Sequence, residues 1–114
     1  MSPITTHILD TAAGRPAEGV VVVLEQQGSG ETWTELGRGA TNVDGRLSSL
    51  VPDRMVLAAG AYRLRFLTGP YFVLRGLRAF YPEIAVHFLL DDPAGHYHVP
   101  LLLSPFGYST YRGS

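Results

Sequence analysis

Apolar and polar residues alternate along several short segments of this chain, and glycines and prolines separate these segments. In residues 62–66, three apolar side chains alternate with two arginines, and in residues 84–90 four apolar side chains alternate in the same way. A β-strand with one face against a core has this two-residue period. The pattern therefore predicts an all-β protein built as a sandwich or a barrel.

Turn signals between the apolar runs predict where further strands begin. Asp44-Gly45 is typical of a tight turn, because glycine adopts a positive φ without steric cost. Arg46 is therefore expected to begin a strand. The other predicted strands cover residues 4–10, 20–24, 32–38, 96–103 and 107–112.

One helix is predicted, over residues 70–78. Pro70 suits the first helical position, and the apolar residues that follow share one face of a helix. They are Val73, Leu74 and Leu77. Because Gly76 weakens this helix, we expect only about two or three turns.

The predicted strand over residues 96–103 carries two histidines on one face. Its other face, which begins with Tyr97, is uniformly apolar and is expected to contact the core. His96 and His98 share the outer face with Pro100 and Leu102. Since a soluble protein rarely exposes such a mixed face to water, we expect this face to meet another subunit.

Composition limits the chemistry that the chain can perform. Its 114 residues are too few for two typical domains, so we interpret residues 1–114 as one domain. All nine basic residues are arginine, and the sequence contains no cysteine. Lysine and cysteine nucleophiles, iron–sulfur clusters and thiolate zinc sites are therefore excluded. Histidine, arginine, carboxylate and hydroxyl groups are left.

Charge and hydropathy bear on partners and location. The net charge of −1 gives no basic field for a phosphate backbone, so no nucleic-acid partner is expected. No stretch approaches the roughly 18 apolar residues of a membrane helix, so no membrane partner is expected. The first residues do not have the pattern of a secretion signal, and we expect a cytoplasmic protein.

The four histidines leave a metal site open as an alternative. A His-x-His pair on a strand can bind zinc, and His7 or His87 would add a third ligand beside a catalytic water. The other interpretation is that each histidine is a hydrogen-bonded structural residue. Asp91 and Asp92 are separated from the histidine pair by a loop and are expected to be solvated turn residues.

Four segments carry a specific combination of residues. They are THILDT with GRPA (6–11 and 14–17), TNVDGR (41–46), FYPE (80–83) and HYHVPLLLSPFGYSTYRGS (96–114). Together they resemble the transthyretin-related 5-hydroxyisourate hydrolase family, and the YRGS ending is highly specific to it. Transthyretin, a hormone carrier of the same fold, lacks this ending and the histidines that correspond to His7 and His98.

The resemblance implies a fold, an assembly and a reaction. The fold would be a prealbumin-like sandwich of two four-stranded sheets with one short helix. The assembly would be a homotetramer, a dimer of dimers, with active sites in a channel where the dimers meet. The reaction would be the hydrolysis of 5-hydroxyisourate to 2-oxo-4-hydroxy-4-carboxy-5-ureidoimidazoline in urate degradation. The family uses neither a metal nor an organic cofactor.

The resemblance also assigns site residues. His7 and His98 would be the catalytic pair, and the sequence does not say which one is the base. His7, Arg46 and Tyr111 would bind the substrate, whereas His87 has no functional counterpart. Residues expected to support the site are His96, Arg112 and Ser114.

A transthyretin-like protein that binds a small ligand without catalysis is the alternative function. A carrier does not need two bases and a cation that converge on one point. The combination of His7, Arg46, His98 and Tyr111 therefore favours the hydrolase.

Overall fold

The computed structural model describes residues 2–114, which form nine strands and one helix. The elements are β1 (Ile4–Asp10), β2 (Arg15–Pro16), β3 (Val21–Gln27), β4 (Trp33–Ala40), β5 (Arg46–Leu47), β6 (Gly60–Leu67), α1 (Thr68–Leu74), β7 (Ile84–Leu90), β8 (Tyr97–Ser104) and β9 (Gly107–Thr110). No helix within residues 2–114 has the length and hydropathy that a membrane crossing requires.

The strands form two sheets that pack into a sandwich. The first sheet has the order β2-β1-β8-β9, with β5 also paired to β1, and the second has the order β4-β3-β6-β7. The predicted sandwich with one short helix is confirmed. The first sheet has five strands rather than four, because the two-residue strands β2 and β5 pair with different parts of β1.

In β1, β6, β7 and β8, every other residue points into the core between the sheets. The predicted faces of β8 are confirmed, because its core-facing residues are almost fully buried. They are Tyr97, Val99, Leu101 and Leu103. Removal of these side chains from water is the main force that holds the sheets together. His98 therefore lies on the outer face of the first sheet.

The prediction of the helix was wrong in its position. α1 covers Thr68–Leu74 rather than residues 70–78, and Gly76 follows it with a φ of 69°, a conformation typical of helix ends. Tyr71 and Phe72 are the aromatic residues that pack into the core. The apolar residues predicted to share one face are 72% (Val73), 84% (Leu74) and 46% (Leu77) exposed.

The ends of several strands also differ from the prediction. β3 continues past the apolar run to Gln27, because β4 and β6 pair with it on both sides and hold its polar residues in the sheet. β8 begins at Tyr97, so that His96 precedes the strand. β9 ends at Thr110, and the chain continues alongside β8, where Gly113 pairs with His98 in the same antiparallel register.

Candidate active site

Strand pairing in the first sheet brings the predicted catalytic residues together. β1 and β8 are parallel, and their register places Thr5 opposite His98. β5 pairs with the other edge of β1, and there Arg46 lies opposite His7. His98, His7 and Arg46 therefore lie on three neighbouring strands.

The turn before β5 positions Arg46 and the carbonyl group of Asp44. The side-chain Oδ1 of Asn42 accepts hydrogen bonds from the N–H groups of Asp44 (2.9 Å) and Arg46 (3.0 Å). Gly45 has a φ of 74°, and a Cβ atom there would lie 2.4 Å from the carbonyl oxygen of Ile8. Glycine is therefore required at this turn both for its backbone conformation and for the close approach to β1.

The Asp44 carbonyl group determines the tautomer of His7. Its oxygen lies 2.9 Å from Nε2 of the half-buried His7 ring. Since a carbonyl oxygen only accepts, Nε2 must carry a proton and donate it. Nδ1 is therefore the nitrogen of His7 that can gain or lose a proton.

His98 is half-buried, and its environment favours the neutral ring. Its Nδ1 lies 2.8 Å from the hydroxyl oxygen of Thr5. Burial is the main cause that lowers the pKa of His98 below 6.5, and the positive charges of Arg46, His96 and His7 lower it further. A hydrogen bond with the backbone of Thr5 acts in the opposite direction. At neutral pH, His98 is therefore mostly unprotonated and can accept a proton.

A surface cavity of about 560 Å³ lies beside His98. Three further residues that the sequence assigned to the site, Arg46, His96 and Ser114, also line this cavity. His7 lies next to it, on the strand between Arg46 and His98. The cavity thus combines imidazole, guanidinium and hydroxyl groups, which can bind and protonate a polar heterocycle.

The C-terminal segment packs directly on His98. The N–H of Gly113 donates a 2.8 Å hydrogen bond to the carbonyl oxygen of His98. A Cβ atom at Gly113 would lie 2.6 Å from Cδ2 of the His98 ring. The absence of a side chain there lets the segment reach the ring and places Ser114 in the cavity.

Tyr111 and Arg112 lie elsewhere. They line a second cavity, of about 230 Å³, together with Tyr97. The Arg112 guanidinium carbon lies 4.6 Å from the centre of the Tyr97 ring, a cation–π contact, and Tyr111 is 56% exposed. Within one chain, the structure does not bring these two residues to the cavity beside His98.

His87 and the acidic loop do not line this cavity. His87 is exposed on β7, in the second sheet, with its ring 5.2 Å from that of Trp33. Asp91 and Asp92 are exposed, and the Tyr97 hydroxyl donates a hydrogen bond to Asp91 that lowers the pKa of this carboxyl group. Across residues 2–114, no three histidine or carboxylate side chains are grouped to hold a metal ion.

Sequence reasoning missed two residues of the site, Thr5 and Asn42. Both line the cavity and hold other site residues by side-chain hydrogen bonds. Each had a signal in the sequence. Thr5 is two residues before His7 and so shares its strand face, and Asn42 is two residues before Asp44, a spacing typical of an Asx turn.

The chain is similar to known proteins over almost its whole length. Residues 4–113 match the HIUase/Transthyretin family. A 5-hydroxyisourate hydrolase from Salmonella dublin is 51% identical over 111 residues, which are 97% of this chain and 80% of that protein.

Two solved structures have the same fold. The 5-hydroxyisourate hydrolase of Klebsiella pneumoniae aligns over 100% of both chains with a TM-score of 0.86 and 38% identity. Transthyretin from Sparus aurata aligns over 99% of this chain and 97% of its own, with a TM-score of 0.91 and 33% identity. The match over residues 4–113 and the 51% identity show that the chain belongs to the HIUase/Transthyretin family.

Proposed function

We propose that this chain is a 5-hydroxyisourate hydrolase, which opens the ring of 5-hydroxyisourate to give 2-oxo-4-hydroxy-4-carboxy-5-ureidoimidazoline during urate degradation. The observation that carries the proposal is the cavity in which a largely neutral His98 and Arg46 meet, with His7 on the adjacent strand. The identity of 51% to a 5-hydroxyisourate hydrolase supports it.

The reaction adds water to an amide-type carbonyl group and breaks the C–N bond. His98 is the better candidate for the base, because its lowered pKa keeps it ready to take a proton from the attacking water. Arg46 would stabilise the negative charge that develops on the carbonyl oxygen. His7, held through Nε2, would use Nδ1 to give a proton to the departing nitrogen. After the C–N bond breaks, His98 holds the proton taken from water and His7 has lost one, so a proton must pass from His98 to His7 through solvent before the next turnover.

The carrier alternative has the same fold, so the fold does not distinguish the two functions. The transthyretin from Sparus aurata has a TM-score as high as 0.91, but its identity is only 33%. The convergence of proton-transfer groups on one cavity favours catalysis, because a carrier needs neither a base nor a proton donor.

The test is the decay of 5-hydroxyisourate generated from urate by urate oxidase. We expect the protein to accelerate its loss well beyond the spontaneous rate, as followed by absorbance. Binding of 5-hydroxyisourate without faster decay would support the carrier instead.

Chelator-treated protein should keep its full rate. A loss of rate that zinc restores would favour the alternative in which the histidines hold a catalytic zinc ion.

We propose that one domain, residues 1–114, assembles into a homotetramer as a dimer of dimers. β7 and β9 each end a sheet and leave backbone groups unpaired, which favours pairing with another chain. Exposed apolar side chains lie on or beside these strands, with Leu89 74%, Phe106 65% and Tyr108 46% exposed. Tyr111, which is outside the cavity of its own chain, would serve the site of a neighbouring subunit.

Light scattering coupled to gel filtration should give a mass about four times 12.4 kDa. Leu89→Arg places a charge on the β7 edge and should dissociate the tetramer. Leu74→Arg, at a position 84% exposed on α1, is the matched control and should leave it intact. A fully active monomer would contradict the proposed assembly.

We also propose a cytoplasmic location. The chain contains no cysteine and hence needs no oxidising compartment for disulfides.

A further inference from the structure

Thr5 connects two histidines of the cavity. Its hydroxyl oxygen lies 2.8 Å from Nδ1 of His98 and 3.1 Å from Nε2 of His96. The side chain is only 9% exposed, and it lines the cavity between the two rings. One hydroxyl group, that of Thr5, therefore links His98 to His96.

A hydroxyl group has one proton, and this limits the states of the two rings. The Thr5 hydroxyl can donate to one of the two nitrogens, and the other nitrogen must then donate to the hydroxyl oxygen. If both nitrogens lacked a proton, one of them would have no hydrogen-bond donor in a largely buried position, which is costly. The tautomers of His96 and His98 are therefore coupled through Thr5.

One direction of donation, from His98 through Thr5 to His96, suits a base at His98. If Nε2 of His98 is to accept a proton from water, Nδ1 must already carry one and donate it to Thr5. The Thr5 hydroxyl then donates to Nε2 of His96. When His98 becomes protonated, its Nδ1–H bond to Thr5 strengthens, because hydrogen bonds from a charged donor are stronger.

We propose that Thr5 is a positioning residue that, with His96 as its acceptor, holds His98 in the tautomer with Nδ1 protonated and Nε2 available as the base. The kinetic part of this inference rests on the proposed hydrolysis of 5-hydroxyisourate. The choice of tautomer also follows from the base role of His98, but the tautomer can be measured whether or not the protein is a hydrolase.

The first test is the tautomer of His98 in the intact protein, from ¹⁵N chemical shifts and two-bond couplings of labelled histidine at neutral pH. We expect the form with the proton on Nδ1. The form with the proton on Nε2 in the wild-type protein would overturn the proposal, and this measurement needs no variant to fold.

The second test replaces the hydroxyl group with a methyl group in Thr5→Val. We expect kcat to fall about tenfold or more while KM changes by less than about twofold, because proton transfer rather than binding is impaired. His98 should then show a mixture of tautomers. The protonated His98 ring loses the Thr5 oxygen as its hydrogen-bond acceptor, which lowers the pKa of His98. The acid limb of the pH–rate profile should therefore move to lower pH. Thr5→Ser restores the hydroxyl and should restore all of these properties.

Thr11→Val is the matched control. The Thr11 hydroxyl donates a 3.0 Å hydrogen bond to the carbonyl oxygen of Leu103, at the far end of the pairing between β1 and β8. Its loss should leave kcat and the His98 tautomer unchanged.

If Thr5→Val lowers kcat without changing the tautomer or the pH profile, Thr5 is merely structural and the proposal is wrong. If the wild-type protein does not consume 5-hydroxyisourate but shows the expected tautomer, the proposed function fails and the inference about Thr5 stands.

Discussion

His98→Ala should lower the turnover of 5-hydroxyisourate by about a hundredfold or more, as the loss of a general base does. The variant removes the ring that we propose as the base but leaves the core face of β8 intact, because that face is built from the alternate residues. His7→Ala should have an effect of similar size through the loss of the proton donor. Initial rates of 5-hydroxyisourate decay, with the oligomer size measured in parallel, check both expectations.

His87→Ala is the control for these variants. His87 is exposed on the second sheet, and its ring contacts only Trp33 among the aromatic neighbours in residues 2–114. Its replacement should leave turnover unchanged. Normal activity of His98→Ala or of His7→Ala would remove that residue from the mechanism.

The pH dependence of the wild-type rate follows from the same assignment. A base acts in its unprotonated form, so on the acid side of the profile the rate rises with pH through the pKa of His98. Because burial and neighbouring charges lower this pKa, the acid limb should lie below pH 6.5 and disappear in His98→Ala.

Deletion of residues 111–114 should abolish hydrolysis with much less effect on folding. The deletion removes the hydrogen bond from Gly113 to the His98 carbonyl group and takes Ser114 out of the cavity. None of the largest fully buried side chains belongs to this segment, so the core is preserved. The decay of 5-hydroxyisourate and the oligomer size of the truncated protein test this expectation.

Gly113→Ala tests the contact between the C-terminal segment and His98 by adding a single carbon atom. The added Cβ would lie 2.6 Å from Cδ2 of His98 and 3.3 Å from Cγ of Pro100, so the ring or the segment must move. We expect turnover to fall about tenfold or more, because small displacements of a catalytic group are costly. Gly107→Ala is the control, since its Cβ would make an ordinary contact of 3.6 Å with Ser104. Full turnover in the truncated protein would show that the segment is structural.

The sequence predicted those parts of the fold that depend on local patterns. Alternation in β8 correctly separated Tyr97 from His98, and the Asp44-Gly45 turn correctly placed Arg46 at the start of β5. The two-residue strands β2 and β5 have no periodic signal, because their partners on β1 define them. The helix was misplaced since burial of Tyr71 and Phe72, rather than the spacing of the aliphatic residues, decides which face packs.

The candidate site, like the fold, was predicted only in part. The family resemblance named His7, Arg46 and His98, and the structure places them on neighbouring strands. Thr5 was missed because its role depends on a partner 93 positions away, which no local pattern shows. The position of Tyr111 could not be predicted because, after β9 ends, the chain leaves the regular alternation of a strand.

The parallel pairing of β1 and β8 also affects how the protein acquires its activity. Thr5 and His98 meet only after a loop of 93 residues has closed, and such distant contacts carry a large entropic cost before they stabilise the fold. On the ribosome, a nascent chain cannot contain this contact until His98 has been synthesised. Enzymatic activity during refolding would therefore report the completion of the whole topology, while the local hairpin of β3 and β4 can form much earlier.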